Sequence, residues 1–145
     1  MGSIIAVCLS ENKGYRKRDV SSGRLLPEHG LENDAHAGPG ARQVSLLAVE
    51  SIDKMRAQGF DIGAGDFAEN LTTSGIDLPS LPVGTRLSLG SQAVGEVSQI
   101  GKRCHSGCEI LKQTGDCIMP REGIFIRVLK GGTVSAGDPI RVLQE

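Results

Sequence analysis

Three cysteines fall within fourteen residues, in Gly101-Lys102-Arg103-Cys104-His105-Ser106-Gly107-Cys108-Glu109 and then Gly115-Asp116-Cys117-Ile118-Met119-Pro120-Arg121-Glu122-Gly123. Cys104 sits beside Lys102, Arg103 and His105. Nearby cations favour thiolate over thiol, and the thiolate is the form that attacks, carries sulfur or binds metal. A short helix starting at Ser106 would add the positive end of its dipole. Against this stands the plainer reading of a loop cysteine with no task.

The same segment also supplies zinc donors in Cys104, His105, Cys108 and Cys117. Their spacing, Cys-x3-Cys-x8-Cys, departs from the close Cys-x2-Cys pairs of structural zinc sites. Cys104 and His105 are adjacent, and adjacent side chains diverge on an extended backbone. Cys8 has apolar neighbours and reads as a small core hydrophobe. Asp34 and His36, two apart, share a side if that stretch is extended. A Cys104–His36–Asp34 relay is therefore conceivable, although spacing does not fix contact. Asp66 and Glu69 form a carboxylate pair that more simply satisfies turn N–H groups. Gly-x4-Gly-Lys-Ser/Thr is absent, and the Gly63/Gly65 cluster lacks the strand–helix register of a phosphate loop.

These residues need a frame. One domain spanning residues 1–145 is expected, large enough for a hydrophobic core. The formal net charge of −1 argues against a nucleic-acid or anionic-membrane partner. Trp is absent and there is one Tyr, which leaves little for base stacking. No apolar run approaches the roughly 20 residues that span a bilayer. Residues 1–7 lack the basic and apolar regions of a signal peptide, and Ala6 stands where a myristoylation signal has Ser or Thr. The cytoplasm, where thiols stay reduced, is the expected compartment.

With 20 Gly and 6 Pro, the chain suits short strands and tight turns. Ser3–Ser10 reads as a buried strand. Residues 11–28 read as a solvated loop, in which Lys13, Arg16, Lys17 and Arg18 would form a cationic rim if a phosphorylated ligand binds. Residues 29–40 read as loop. Gln43–Leu47 reads as a short strand, followed by a helix over 46–58 capped by Ser45, with a Glu50–Lys54 pair and Gly59 at C′. Gly63 to Thr73 reads as a turn entering a strand. Thr85–Leu89 and Ala93–Ile100 read as a hairpin about Gly90-Ser91-Gln92, and Ile124–Leu129 as the strongest late strand. Gly107–Gln113 is the candidate short helix, Gly131-Gly132 a turn, and Ile140–Leu143 the closing strand. The sum is a mainly β fold: a closed or nearly closed β-barrel with one main α-helix and one or two short helices.

Several segments, in order, resemble one family. They are Gly30-Leu31-Glu32-Asn33-Asp34-Ala35-His36-Ala37-Gly38, Arg42 to Leu47, Gly65-Asp66-Phe67-Ala68-Glu69-Asn70-Leu71, Leu81-Pro82-Val83-Gly84 and the Cys104 segment. Together they look like the MOSC domain, named for the molybdenum cofactor sulfurase C-terminus, in its small stand-alone bacterial form.

The resemblance implies a barrel of the pyruvate kinase β-barrel domain type and a role around molybdenum cofactor (molybdopterin) or sulfur transfer. Cys104 matches a cysteine thought to carry sulfur as a persulfide or to ligate molybdenum. Asp34, His36, Glu69 and Asn70 would build the pocket. Arg42, Lys102, Arg103 and Arg121 would bind the pterin phosphate, with Arg103 also holding Cys104 as thiolate, and Cys108 or Cys117 would resolve a persulfide. No pyridoxal-phosphate desulfurase segment is seen, so a separate cysteine desulfurase is the implied donor and a molybdenum-cofactor enzyme or biosynthesis protein the acceptor. An exposed barrel edge would suit a homodimer. Two other readings stay open: a non-enzymatic module that binds the cofactor, and a zinc-stabilised barrel.

Overall fold

The computed structural model describes residues 2–10, 17–35, 37–40, 43–59, 63–65, 69–100 and 123–143. The chain folds in the order β1 (Gly2–Leu9), β2 (Arg18–Asp19), β3 (Ser22–Leu26), β4 (Gly30–Leu31), β5 (Val44–Ala48), α1 (Val49–Ala57) and β6 (Leu71–Ser74). A 3-10 turn, Leu78–Ser80, precedes β7 (Arg86–Leu89), β8 (Ala93–Ile100), β9 (Ile124–Lys130), β10 (Gly132–Ser135) and β11 (Pro139–Val142).

Seven strands close on themselves in the order β11-β7-β8-β9-β5-β6-β1, and β1 returns to β11 through Gly2↔Ile140 and Ser3↔Pro139. The fold is thus the mainly β barrel with one helix that the strand pattern implies. Closure leaves no long open edge on these strands. Alternating side chains fill the interior, among them Ile4, Leu46, Leu71, Leu87, Leu89, Val97, Ile124, Ile126 and Ile140. Among the described strands all pairings but one are antiparallel. β5 and β6 run parallel, and α1 lies in the crossover between them, as a parallel pair requires.

Two expectations shift at this crossover. Ser45 does not cap the helix. It lies inside β5, and the helix starts at Val49 with Ala48 at the N-cap and no side-chain cap. Leu46 and Leu47 fit a helical stripe but are drawn into the sheet, where β9 and β6 flank them. The helix end agrees with expectation: Gly59 follows the C-cap Gln58 with φ +99° and donates its N–H to Arg56 O at 2.9 Å. Glu50, expected to pair with Lys54, accepts the Gly75 N–H at 2.8 Å, tying α1 to the end of β6.

The stretch 11–28 is not simply a solvated loop. Its described part holds β2 and β3, and β3 joins β10 and β4 in a separate three-stranded sheet. Each of β3 and β10 buries one apolar side chain fully, Leu25 and Val134, so neither shows an alternation to read. Gly132 starts β10 directly, shortening the turn expected at Gly131-Gly132. The Gly107–Gln113 helix lies outside the described residues.

Candidate functional site

Of the eleven residues singled out for a site, three are described: Asp34, Glu69 and Asn70. His36, Arg42, Lys102, Arg103, Cys104, Cys108, Cys117 and Arg121 lie outside the described residues, as does His105. The three described candidates meet in one buried polar network, although Asp34 lies far from the other two in sequence.

Asn70 is its joint. Its residue directly precedes β6, and its side chain is buried. Asn70 Oδ1 accepts the Ser45 N–H at 3.0 Å and lies 3.2 Å from Ser45 Oγ. Asn70 Nδ2 donates to Cys8 O at 3.1 Å, and the Cys8 N–H donates back to Asn70 O at 2.6 Å. One amide thus stitches β5 to β1. An Asn can do this because it carries donor and acceptor on a short stem.

Glu69 is fully buried beside it. Its Oε2 accepts the Gly65 N–H at 2.9 Å and the Thr72 hydroxyl at 2.6 Å. Gly65 has φ +84°, and a Cβ there would collide with Lys17 O. Its own carbonyl accepts the Lys17 N–H at 2.8 Å. The Gly65 to Asn70 motif therefore has a mechanical meaning: a turn only glycine fits, a carboxylate that holds it, and an amide that locks it to the sheet.

Asp34 completes the cluster from the other side. Its carboxylate pairs with Lys17 Nζ at 2.7 Å, both side chains having no solvent exposure. Asp34 Oδ1 also accepts the Ser10 N–H at 3.1 Å. Burial alone would raise this carboxyl's pKa. The Lys17 ammonium, through hydrogen bond and charge, overrides that together with the Ser10 N–H and the Asn70 side chain, and holds it below its ordinary value. Lys17, read from sequence as part of an exposed cationic rim, is instead interior, whereas Arg18 is exposed on β2. Nothing in the charge run 11–19 distinguishes Lys17; only an acidic partner seventeen residues away does.

Cys8 is the one described cysteine. It is buried and free. Desolvation, with the charges of Glu69 and Asp19, lifts its thiol from 9.0 to about 12, against smaller opposing effects from Thr72 and Lys17. At neutral pH it is a thiol, not a thiolate, and chemistry that needs an ionised sulfur cannot use it. Core packing, as expected for it, is its role.

The register also locates the ends of the cysteine-rich segment. Ile100 pairs with Ile124 across β8 and β9, Ile124 with Leu46, Leu46 with Leu71, and Leu71 with Val7. This row of partners flanks Ser45, Asn70 and Cys8. The stem at Ile124 therefore stands two strand spacings from the residue next to Asn70, roughly 10 Å.

Two grooves on the described surface lie elsewhere. One of about 310 Å3 runs between α1 and the Gly75–Pro79 turn; another of about 380 Å3 lies beside Glu28, Glu96 and Arg127. Neither is lined by Lys17, Asp34, Glu69 or Asn70. Among the described residues no group of three His, Cys, Asp or Glu side chains is placed to hold a metal ion.

The sequence profile of the MOSC domain matches residues 32–141, most of the chain and including the whole Cys104 segment. The protein belongs to the MOSC domain family. That family is associated with molybdenum cofactor sulfurase-related function. Solved structures agree on the fold. The YuaD protein from Bacillus subtilis superposes with a TM-score of 0.80 at 19% identity, covering 98% of this chain and 96% of that one. YiiM from Geobacillus stearothermophilus gives 0.76 at 19% identity, over 99% and 76% of the two chains. YiiM from Escherichia coli gives 0.71 at 22% identity, over 100% and 71%. No curated protein matches the sequence.

Molybdenum takes soft thiolate, and a pterin phosphate takes accessible cations. Two described residues of this MOSC domain, Cys8 and Lys17, do not fit such a group. The Cys8 sulfur stays protonated, and the Lys17 charge is closed against Asp34. What the network does is hold the barrel end in shape. Among the described residues, no helix is long and apolar enough to cross a membrane.

Proposed function

We propose that this MOSC domain is a sulfur carrier whose working atom is Cys104 Sγ. The observation that supports it most is the register: the chain bearing Cys104 leaves and re-enters the barrel at paired strand ends close to the buried network. Rigid strands with a reactive group on the connection between them are a common way to build a site. The described cysteine is chemically silent, so the sulfur chemistry of the family falls to the 104–117 segment.

In the proposed reaction the Cys104 thiolate attacks the outer sulfur of a donor persulfide. A sulfur–sulfur bond forms at Cys104, the donor's sulfur–sulfur bond breaks, and the donor leaves as thiolate. The donor is a pyridoxal-phosphate cysteine desulfurase in the cytoplasm, and the acceptor a protein that handles molybdenum cofactor. Lys102 and Arg103 hold Cys104 ionised. The Cys108 or Cys117 thiolate then attacks the inner Cys104 sulfur, so that a disulfide forms, the persulfide bond breaks and the outer sulfur leaves as hydrosulfide for the acceptor. An external thiol reductant reopens the disulfide. Asp34, Glu69 and Asn70 contribute by fixing the backbone around the site. His36 shares their task, and Arg42 and Arg121 are assigned the cofactor's phosphate, with Arg favoured for its bidentate fork.

Incubation with a cysteine desulfurase and cysteine, followed by intact-mass and peptide mass spectrometry, tests this. One added sulfur, about 32 Da, on Cys104 is expected. Sulfur absent from Cys104, or found equally on Cys104→Ala protein, overturns it. Cofactor bound tightly without any sulfur adduct would instead make the chain a binding module. Stoichiometric zinc, with unfolding by chelator, would make the cysteines structural.

A further inference from the structure

We infer that Lys17 and Asp34 are a positioning pair, retained to place the chain at one end of the barrel for the Cys104 site rather than to add stability. This rests on the sulfur-carrier reading above. Two side chains of opposite charge lie 2.7 Å apart with no solvent exposure. Removing both charges from water is costly, and an apolar pair of similar volume is commonly as stable or more so. Such a pair is accounted for by what it orients.

What it orients is specific. Asp34 Oδ1 takes both Lys17 Nζ and the Ser10 N–H, and Lys17 Nζ lies 3.4 Å from Ser10 Oγ. Residues 10 and 17 are thus drawn to one oxygen. The Ala35 N–H donates to Ser10 O at 2.8 Å, so the Asp34 turn and Ser10 are joined twice. The Asn70 side chain lies near enough to favour the Asp34 carboxylate, and it binds β5 and β1. β5 pairs with β9 at Leu46↔Ile124, where the cysteine segment rejoins the barrel. An apolar pair would fill the same volume and leave the Ser10 N–H without this acceptor. Neither Lys17 nor Asp34 is a catalytic residue; both act through the backbone they hold.

The test is the full-length double variant Lys17→Met/Asp34→Leu. It is expected to fold cooperatively with a thermal midpoint near that of the wild type. Sulfur loading at Cys104 is expected to fall by about tenfold or more, the scale of loss when a reacting group is displaced. Iodoacetamide alkylation of Cys104, followed by peptide mass spectrometry across pH, is expected to change in rate alongside it. A stable, folded double variant that loads and alkylates like the wild type overturns the inference. If the wild type itself takes no sulfur, the sulfur-carrier reading fails, while the alkylation comparison still decides the positioning role. Should the double variant not fold, Asp34→Asn is scored per folded molecule, and an alkylation profile identical to that of the wild type is the overturning result.

Discussion

Ion pairs at two places in this barrel look alike on paper and differ in consequence. Lys17–Asp34 and Arg127–Glu28 have nearly equal separations, 2.7 and 2.8 Å. The first has no solvent exposure on either side chain; the second is 41% and 54% exposed. In water the Arg127 and Glu28 charges are screened and their side chains remain mobile, so their attraction is small. Inside, each charge of the Lys17 pair meets its partner and nearby polar groups in place of water. Distance does not separate the two pairs; surroundings do.

Single substitutions should magnify that contrast. Lys17→Met takes the Lys17 ammonium away from the buried Asp34 carboxylate, and a loss of about 3–5 kcal/mol is expected from urea unfolding. A loss below about 1 kcal/mol would mean that water reaches the site. Asn70→Ala removes acceptor and donor together from Ser45 and Cys8. Buried groups left unpaired cost about 1–3 kcal/mol each, so a loss in that range or somewhat above is expected by the same measurement. The result would show whether the neutral joint matters as much as the charged one.

The two regions should also differ in their response to pH. Asp34 is held below its ordinary value. A depressed carboxyl contributes stability that is present above its unfolded value, near 3.9, and is lost as pH falls through the folded value beneath it. Urea midpoints should therefore fall below about pH 4 in the wild type and fall less steeply in Asp34→Asn. Cys8 acts at the other limit. Its raised thiol gives stability that is complete below 9.0 and is lost progressively as pH rises toward about 12. Cys8→Ala should flatten that alkaline loss, and an unchanged slope would assign it to other groups.

The smallest effects belong to the exterior and to one orphan. Arg127→Ala should cost no more than about 1 kcal/mol, and less in high salt. Among the described residues, Thr73 Oγ1 is buried without a hydrogen-bond partner. Thr73→Val removes that oxygen at almost equal volume, so its unfolding midpoint should stay level or rise; a clear fall would reveal a bound water.

Much of the barrel could be read along the chain because its strands carry local patterns. Leu87 and Leu89 alternate with Arg86 and Ser88, and both prove buried in β7. β3 and β10 offered one buried apolar residue each and went unread. The helix start was misplaced because Leu46 and Leu47 satisfy both a helical stripe and a strand buried on two faces. In the site, Asp34, Glu69 and Asn70 could be singled out from motif and residue type, but their partners could not. Ser45 looked like a cap, and Lys17 like one charge among several. Gln43, which accepts the Val128 N–H at 2.9 Å and so extends the β5–β9 ladder with a side chain, carried no local sign at all.

Composition, periodicity and ordered motifs determined the strand-rich class, the single main helix, the family and a cluster of sulfur with cations. These depend on neighbours along the chain, and so survive without a fold. Tertiary structure alone decided that Lys17 turns inward, that Asn70 joins β1 to β5, and that Cys8 cannot ionise near neutrality. Each of those outcomes depends on dielectric surroundings and on partners brought close by strand pairing, which no local run of residues contains.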